Sequence, residues 1–203
     1  MALAQTQLIP AEELAPGAIS AIRNQIINVL VALASSELHM PPGDLVVRDI
    51  RWVEDLQAYS SGTTAATVNN WIFTTAASAT TGFVTITGDK VMGDQRYVAI
   101  YGVRDLRNVY DTKQAAAAAN ARLSQVVSLL KLNVGGADKA IWDLTKLQSY
   151  PNQLVGISPS AVLIPQNAAF NIFIYKMEAT NSVVANLVLE GVVVEPRGKV
   201  ISP

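Results

Sequence analysis

The sequence VLIPQNAAFNIFIYKMEATNSVVANLVLEGVVVEP, residues 162–196, has almost no polar face over most of its length. Its β-branched and aromatic residues are typical of strands, and residues 165–167 and 178–181 have the composition of turns. A strand that is apolar on both faces has to be covered on both faces. The stretch therefore predicts a sandwich of two packed sheets, with a helix or a neighbouring subunit covering an outer face.

The composition of the whole chain predicts a surface that is poor in charge. Of its 203 residues, 50% are hydrophobic and 15% are charged, whereas about 25% are charged in soluble globular proteins. This favours a protein that covers much of its surface with copies of itself or a partner. A monomer rich in Ala, Ser and Thr is the alternative. The net charge of −1, without a cluster of Lys and Arg, argues against direct nucleic-acid binding.

The N-terminal region predicts an extended arm and then a helix. Residues 1–16 form the arm, and residues 17–203 form a single domain that begins with an amphipathic helix at 18–34. An apolar stripe along this helix needs a partner and is a candidate assembly interface: Ile22, Ile26, Val29 and Leu33. The stripe either packs on the chain's own sheet or contacts a neighbouring subunit or a membrane surface. The apolar run 26–36 lacks the basic flank of a secretory signal and is too short to span a bilayer.

The middle of the chain predicts strands followed by a helical insertion. Strands are expected at 44–53 and 67–75, and a hairpin is expected from 82–87 and 96–103, with Gly and Asp residues between them. Residues 111–147 are then predicted to be helical. Asp111 and Gln114 have the spacing of a capping box, an alanine run follows, and Gly135-Gly136 separates two helical segments.

The residues needed for catalysis are scarce. His39 is the only histidine, cysteine is absent, and no Gly-x-Ser-x-Gly motif occurs. Two-histidine and thiolate metal sites are therefore excluded by composition. The adjacent carboxylates Glu12-Glu13 and Glu54-Asp55 are interpreted as solvated surface groups. We expect no enzymatic activity, no catalytic residues, no metal and no cofactor.

Two tryptophans are candidates for a ligand platform. Trp52 and Trp71 lie in predicted strands, where their rings would either stack on a sugar or pack in the core. The hypothesis of a platform belongs to the alternative function, a carbohydrate- or ligand-binding β-sandwich module.

The segments SPSAVLIPQNAAFNIFIYKM, residues 158–177, and ANLVLEGVVVEPRG, residues 185–198, carry a resemblance to a known family. A strand bounded by proline, a turn, an apolar strand and a long closing strand resemble the C-terminal half of capsid proteins with a single jelly roll. These proteins come from icosahedral bacterial and archaeal viruses that contain an internal membrane. The resemblance implies a mainly β, two-sheet jelly-roll sandwich with the N-terminal helix and the helical insertion. It transfers no functional residue, because the family works through surfaces.

The expected function is that of a structural virion protein, a capsid or shell subunit that self-assembles through apolar surfaces. Its expected partners are copies of itself, other capsid proteins and an internal membrane surface, and its expected location is the virion. The lack of a basic arm departs from capsid proteins that bind the genome directly. For the alternative ligand-binding module, the expected location is extracellular or at the cell surface.

Overall fold

The computed structural model describes residues 5–58, 67–68, 71–76, 81–106, 119–120, 123–148, 155–177 and 183–199. Its helices are α1 (Ala18–Leu38) and α2 (Leu123–Val126). Its strands are β1 (Thr6–Gln7), β2 (Ile9–Pro10), β3 (Leu45–Asp49), β4 (Thr67–Val68), β5 (Phe73–Ala76), β6 (Gly82–Thr85), β7 (Lys90–Val91), β8 (Tyr97–Asp105), β9 (Ala119–Asn120), β10 (Val127–Val134), β11 (Ala137–Asp143), β12 (Val155–Ile164), β13 (Ala169–Lys176) and β14 (Val183–Pro196).

The described strands form two sheets. A six-stranded sheet has the order β1-β11-β10-β13-β6, and β7 also pairs with β13. An eight-stranded sheet has the order β2-β12-β8-β14-β5-β4, and both β3 and β9 also pair with β14. The short pairs β1/β11 and β9/β14 are parallel, and the other pairs are antiparallel. The prediction of a mainly β protein with two packed sheets is therefore confirmed.

The main core lies between the two sheets. Val98 and Ile100 on β8 belong to the same buried cluster as Leu130 on β10 and Ile172 on β13. Residues that alternate with them on β8 and β14 belong to a second buried cluster with α1: Tyr97, Ala99, Tyr101, Val192 and Val194. The helix thus covers the outer face of the eight-stranded sheet. This explains why the strands at the centre of that sheet are apolar on both faces.

The predicted N-terminal helix is confirmed, and it runs further than residue 34. Gly17, with φ of 81°, precedes α1, and His39, with φ of 53°, ends it in the left-handed conformation. The backbone N–H of His39 donates to the carbonyl of Ser35. Pro41 and Pro42 follow, and proline cannot continue a helix, so the chain turns into β3.

The segment before α1 lies against both sheets. Thr6 and Gln7 pair with β11 in the six-stranded sheet, and Ile9 and Pro10 pair with β12 in the eight-stranded sheet. Leu8, between the two pairs, is fully buried in the main core. The extended part of the predicted arm therefore crosses from one sheet to the other.

The predicted helical insertion at 111–147 is wrong for the residues that the structure describes. Residues 111–118 and 121–122 lie outside them, α2 is one turn long, and most of the described remainder forms β10 and β11. Leu130, Leu132 and Val134 alternate into the main core, which is the period of a strand. Gly135 and Gly136 have φ of 64° and 77°, as the two central residues of a type I′ hairpin turn require. They connect two strands and do not end a helix.

The predicted hairpin of 82–87 and 96–103 is also wrong. Both segments contain strands, but β6 pairs with β13, whereas β8 lies between β12 and β14 in the other sheet. Thr85 on β6 is paired with Phe173, far along the chain. Local turn chemistry between two strands does not decide pairing when each strand has a better partner elsewhere.

Candidate functional site

The apolar stripe on α1 is divided between the chain's own core and its surface. Leu30 and Ala34 on α1 are fully buried against the eight-stranded sheet. Ile22, Ile26 and Leu33 of the stripe are partly buried against the same cluster, whereas Val29 is 52% exposed. The helix therefore packs on its own sheet through one face and leaves apolar side chains at the flank of that face.

A groove of about 300 Å³ runs between α1 and β12, and we call it the helix groove. Three residues of the apolar stripe line one side, namely Ile22, Ile26 and Val29, whereas Leu33 does not reach it. Ala161 and Leu163 are among the residues that line it from β12. The helix groove is thus bordered by apolar side chains from two separate elements.

A bulge of β12 forms one side of the helix groove. Ile157 pairs with Gly102 of β8, but Val162 pairs with Ile100, so residues 158–161 lie opposite the single residue Tyr101. On the other side of β8, Glu190 pairs with Gly102 and Gly191 with Ile100, so Tyr101 is an extra residue with no counterpart on β14. Both registers of β8 therefore break at Tyr101. Bulges of this kind occur preferentially beside functional sites.

The second edge of β12 is largely unpaired within the described part of the chain. β2 pairs with it at Gly156 and Ile157, and no described strand continues that pairing along residues 158–164. An open strand edge offers its backbone N–H and C=O groups to another chain. This edge lies next to the helix groove, which residues 158–161 line.

A second depression, of about 410 Å³, lies on the same outer face and is called the Trp71 cleft. Its lining comes from α1, from the end of β3, from Trp71 ahead of β5, from β8 and from β14: Ile19, Arg23, Asp49, Ile50, Trp71, Tyr101, Arg104, Val188, Leu189, Glu190 and Gly191. Two ion pairs border it, with N–O distances of 2.7 Å for Arg23–Asp49 and 2.6 Å for Arg104–Glu190.

The two candidate platform tryptophans have different environments, and only Trp71 lines the cleft. Trp52 is 2% exposed, packs against Phe73 with ring centroids 5.4 Å apart, and donates from Nε1 to the carbonyl of Leu187 at 3.2 Å. It belongs to the core, so its proposed part in a platform is wrong. Trp71 is 50% exposed and lines the cleft, with the guanidinium carbon of Arg51 at 5.2 Å from its ring centroid.

The electrostatics of the Trp71 cleft keep the phenol of Tyr101 neutral and the guanidinium of Arg23 charged. Burial raises the pKa of Tyr101, the charge of Glu190 adds to this, and Arg23 opposes it. The hydrogen bond from Arg23 to Asp49 raises the pKa of that guanidinium against the smaller effect of its burial. At neutral pH the cleft therefore contains a phenol hydroxyl and two matched ion pairs.

A buried ionic network lies elsewhere, and sequence reasoning missed it. Asp55, interpreted above as a surface group, has a fully buried side chain, and Glu195 is 2% exposed. Arg48 and Arg96 pair with both carboxylates, so two positive charges match two negative ones. Burial lowers the pKa of Arg48, but its hydrogen bonds to Asp55 and Glu195 outweigh that effect and raise the pKa. Because the two arginines neutralise the two carboxylates, we interpret this network as a structural one that holds the surrounding segments together.

The described residues contain no group of three or more His, Cys, Asp or Glu side chains that could hold a metal ion. His39 is exposed at the end of α1. Within the described part of the chain, α1 is also the helix that is long and apolar enough to cross a membrane. Core helices of soluble proteins and signal sequences near an N-terminus meet the same criteria of length and composition. The apolar run 26–36, which is too short to span a bilayer by itself, is thus part of the longer helix α1.

No protein-family model matches this chain, and no curated protein matches its sequence.

Proposed function

We propose that the protein is a structural subunit, a capsid or shell protein of a virion, that self-assembles through the helix groove and the neighbouring edge of β12. The observation that carries the proposal is the partial exposure of Ile22, Ile26 and Val29 beside the apolar residues Ala161 and Leu163. Covering this surface with a second chain would remove apolar area from water, at roughly 25 cal/mol for each Å².

The strand order supports a jelly-roll connectivity for this subunit. Eight strands taken in chain order as first to eighth are β3, β6, β8, β10, β11, β12, β13 and β14. In one sheet the first, eighth, third and sixth strands lie side by side, and in the other the second, seventh, fourth and fifth. Chains that alternate between sheets in this way form two Greek keys, an arrangement found in viral capsid proteins, lectins and cupins.

The fold alone does not choose among those functions, so the surface has to. Only 15% of the residues are charged, and the flank of α1 keeps apolar side chains half-buried on the monomer. Both features suit a subunit that is surrounded by other subunits. The net charge of −1 supports contact with protein or lipid in preference to nucleic acid.

We propose a second copy of this chain as the first partner, with other capsid proteins and an internal membrane surface as further ones. The edge of β12 supports a protein partner, because a strand edge is satisfied by another backbone, which a lipid does not supply. An apolar helix flank next to a strand edge would let one copy contribute both side-chain packing and backbone hydrogen bonds.

Light scattering and electron microscopy of the concentrated full-length protein test the proposal. Val29→Asp places a charge on the helix groove at a position that is 52% exposed, so the fold should survive it. We expect the concentration needed for association to rise at least about tenfold, because a carboxylate buried without a partner costs more than the 1.4 kcal/mol that tenfold represents. Val91→Asp is the matched control, since Val91 is 56% exposed on β7 of the other sheet.

Two results would contradict the proposal. One is a full-length protein that stays monomeric at high concentration and forms no particles. The other is equal association of the Val29→Asp and Val91→Asp variants. Loss of vesicle binding by Val29→Asp with self-association unchanged would assign the helix groove to a membrane surface and not to a second copy.

A further inference from the structure

The Trp71 cleft is a second depression on this face, and its volume of about 410 Å³ falls in the range of small-ligand sites. It lies beside the N-terminal half of α1, where Ile19 and Arg23 line it, whereas Ile22 and Ile26 line the helix groove. The assembly surface proposed above and this cleft therefore occupy different flanks of one helix. The cleft is free to have a function of its own.

Trp71 supplies an aromatic surface in the cleft. Its side chain is 50% exposed, although large aromatic side chains usually bury most of their area. The guanidinium of Arg51 lies over the ring, at 5.2 Å from its centroid, and restricts its orientation. Because the indole lines the cleft, it contributes apolar area on which the C–H face of a pyranose ring can stack.

The ion pairs that border the cleft have hydrogen-bonding capacity left over. The side chains of Asp49 and Arg104 are 65% and 45% exposed. A carboxylate accepts about four hydrogen bonds and a guanidinium donates five, so one ion pair does not exhaust either group. Neighbouring hydroxyl groups of a sugar act both as donors and as acceptors, and a carboxylate beside a guanidinium matches that pattern.

The charges in the cleft cancel. Arg23 and Arg104 are balanced by Asp49 and Glu190, each at hydrogen-bonding distance from its partner. An anionic or a cationic ligand that bonds to one member of a pair also approaches the like charge of the other member, and the repulsion offsets the attraction. A neutral polar ligand can add hydrogen bonds without that cost.

The backbone around Tyr101 shapes the cleft. The bulge on β8 leaves Tyr101 without a counterpart on β14, and its buried ring lies among the residues of the lining. Gly191 permits the close packing at this point, because a Cβ there would lie 2.8 Å from the carbonyl oxygen of Ala99. The cleft thus lies at the irregular pairing of β8 and β14, and polar residues from both strands, Arg104 and Glu190, line it.

We infer that the Trp71 cleft binds a neutral saccharide, with a pyranose ring stacked on Trp71 and its hydroxyl groups bonded to Asp49, Arg104 and Glu190. The site differs from a platform of two tryptophans, because it uses one indole together with charged groups brought from three separate parts of the chain.

Saturation-transfer NMR and calorimetry with a panel of neutral oligosaccharides test the inference. The panel contains α- and β-linked glucans, mannan, galactan and chitin fragments, with heparin as an anionic comparison. We expect at least one neutral member to bind the full chain, Trp71→Ala to weaken that binding at least tenfold, and Asp49→Asn to weaken it several-fold. Phe83→Ala is the matched control, since Phe83 is an aromatic residue 44% exposed on the other sheet, and it should bind as the wild type does.

The inference is overturned if no neutral member binds at millimolar concentration, if heparin alone binds, or if the affinity survives Trp71→Ala. Should Trp71→Ala fail to fold, Asp49→Asn decides, because Asp49 is exposed and its loss leaves the core intact. Saccharide binding by the Val29→Asp variant should match that of the wild type, because Val29 does not line the cleft. The test of the cleft is therefore independent of the test of the assembly surface.

Discussion

Arg48 holds both carboxylate oxygens of the buried Asp55. Its Nη1 and Nη2 lie 2.7 Å and 2.6 Å from Oδ2 and Oδ1 of Asp55, and its Nε lies 2.7 Å from Oε1 of Glu195. The backbone N–H of Arg51 also donates to Oδ2 of Asp55, at 2.7 Å. Through these bonds, Arg48 fixes the turn after β3, which contains Asp55, against the end of β14, which contains Glu195.

Asp55→Ala should lower the free energy of unfolding by about 3–5 kcal/mol, because it leaves Arg48 buried with one of its carboxylate partners removed. The neighbouring Glu54 has a side chain that is 40% exposed, so Glu54→Ala should cost less than about 1 kcal/mol. Urea denaturation of both variants measures the difference. Equal losses would mean that the buried pair contributes no more than an exposed one.

Lys176 gives the protein a dependence on alkaline pH. It is 6% exposed on β13, and burial lowers its pKa from 10.5. At a pH between the lowered folded-state pKa and 10.5, the unfolded chain therefore binds more protons than the folded chain. The contribution of Lys176 to the free energy of unfolding is complete above about pH 10.5 and is lost as the pH falls through the folded-state pKa. Lys176→Met should raise stability at pH 7 and remove this part of the dependence. Thermal melts from pH 7 to 10.5 compare the two proteins, and parallel curves would contradict the prediction.

Leu30 and Val29 are neighbours on α1 with opposite environments. Leu30 is fully buried against the sheet, whereas Val29 is 52% exposed. Leu30→Ala should therefore cost about 2–5 kcal/mol of stability, and Val29→Ala should cost less than about 1 kcal/mol but weaken association. Melting temperature and light scattering on each variant separate the two effects. If Val29→Ala lowers the melting temperature as far as Leu30→Ala does, α1 has only a core function.

Local sequence patterns predicted the parts of this fold whose cause is local. The spacing of Ile22, Ile26 and Leu33 predicted α1, and the run that ends in Val192–Val194 predicted a strand covered on both faces. Residues 123–130 satisfy helical spacing, whereas Leu130, Leu132 and Val134 satisfy strand spacing, and the tertiary core decided between the two.

The sequence identified Trp71 as a candidate for a ligand platform but did not predict the charged residues that surround it in the cleft. Arg23, Asp49, Arg104 and Glu190 each look like an ordinary surface charge in the sequence, and the topology alone makes them neighbours. Strand pairing across the whole chain sets those distances, since β14 pairs with β3, β5 and β8. The exposed side of Trp71 likewise depends on partners that periodicity does not reveal.

The turn at Gly135 and Gly136 allows a direct test of the strand assignment that replaced the predicted helix. Both residues have left-handed φ angles, 64° and 77°, which cost other L-residues about 1–2 kcal/mol each. Gly135→Ala and Gly136→Ala should therefore each destabilise the protein by about that amount, and Gly135→Asn should cost less, because asparagine tolerates this conformation.

Gly43→Ala is the control, since a Cβ at Gly43 meets nothing within 4 Å and its φ is not positive. In a helix, alanine would instead stabilise both positions by up to about 1 kcal/mol relative to glycine. A rise in the free energy of unfolding for Gly135→Ala would therefore restore the helical insertion and remove the hairpin of β10 and β11.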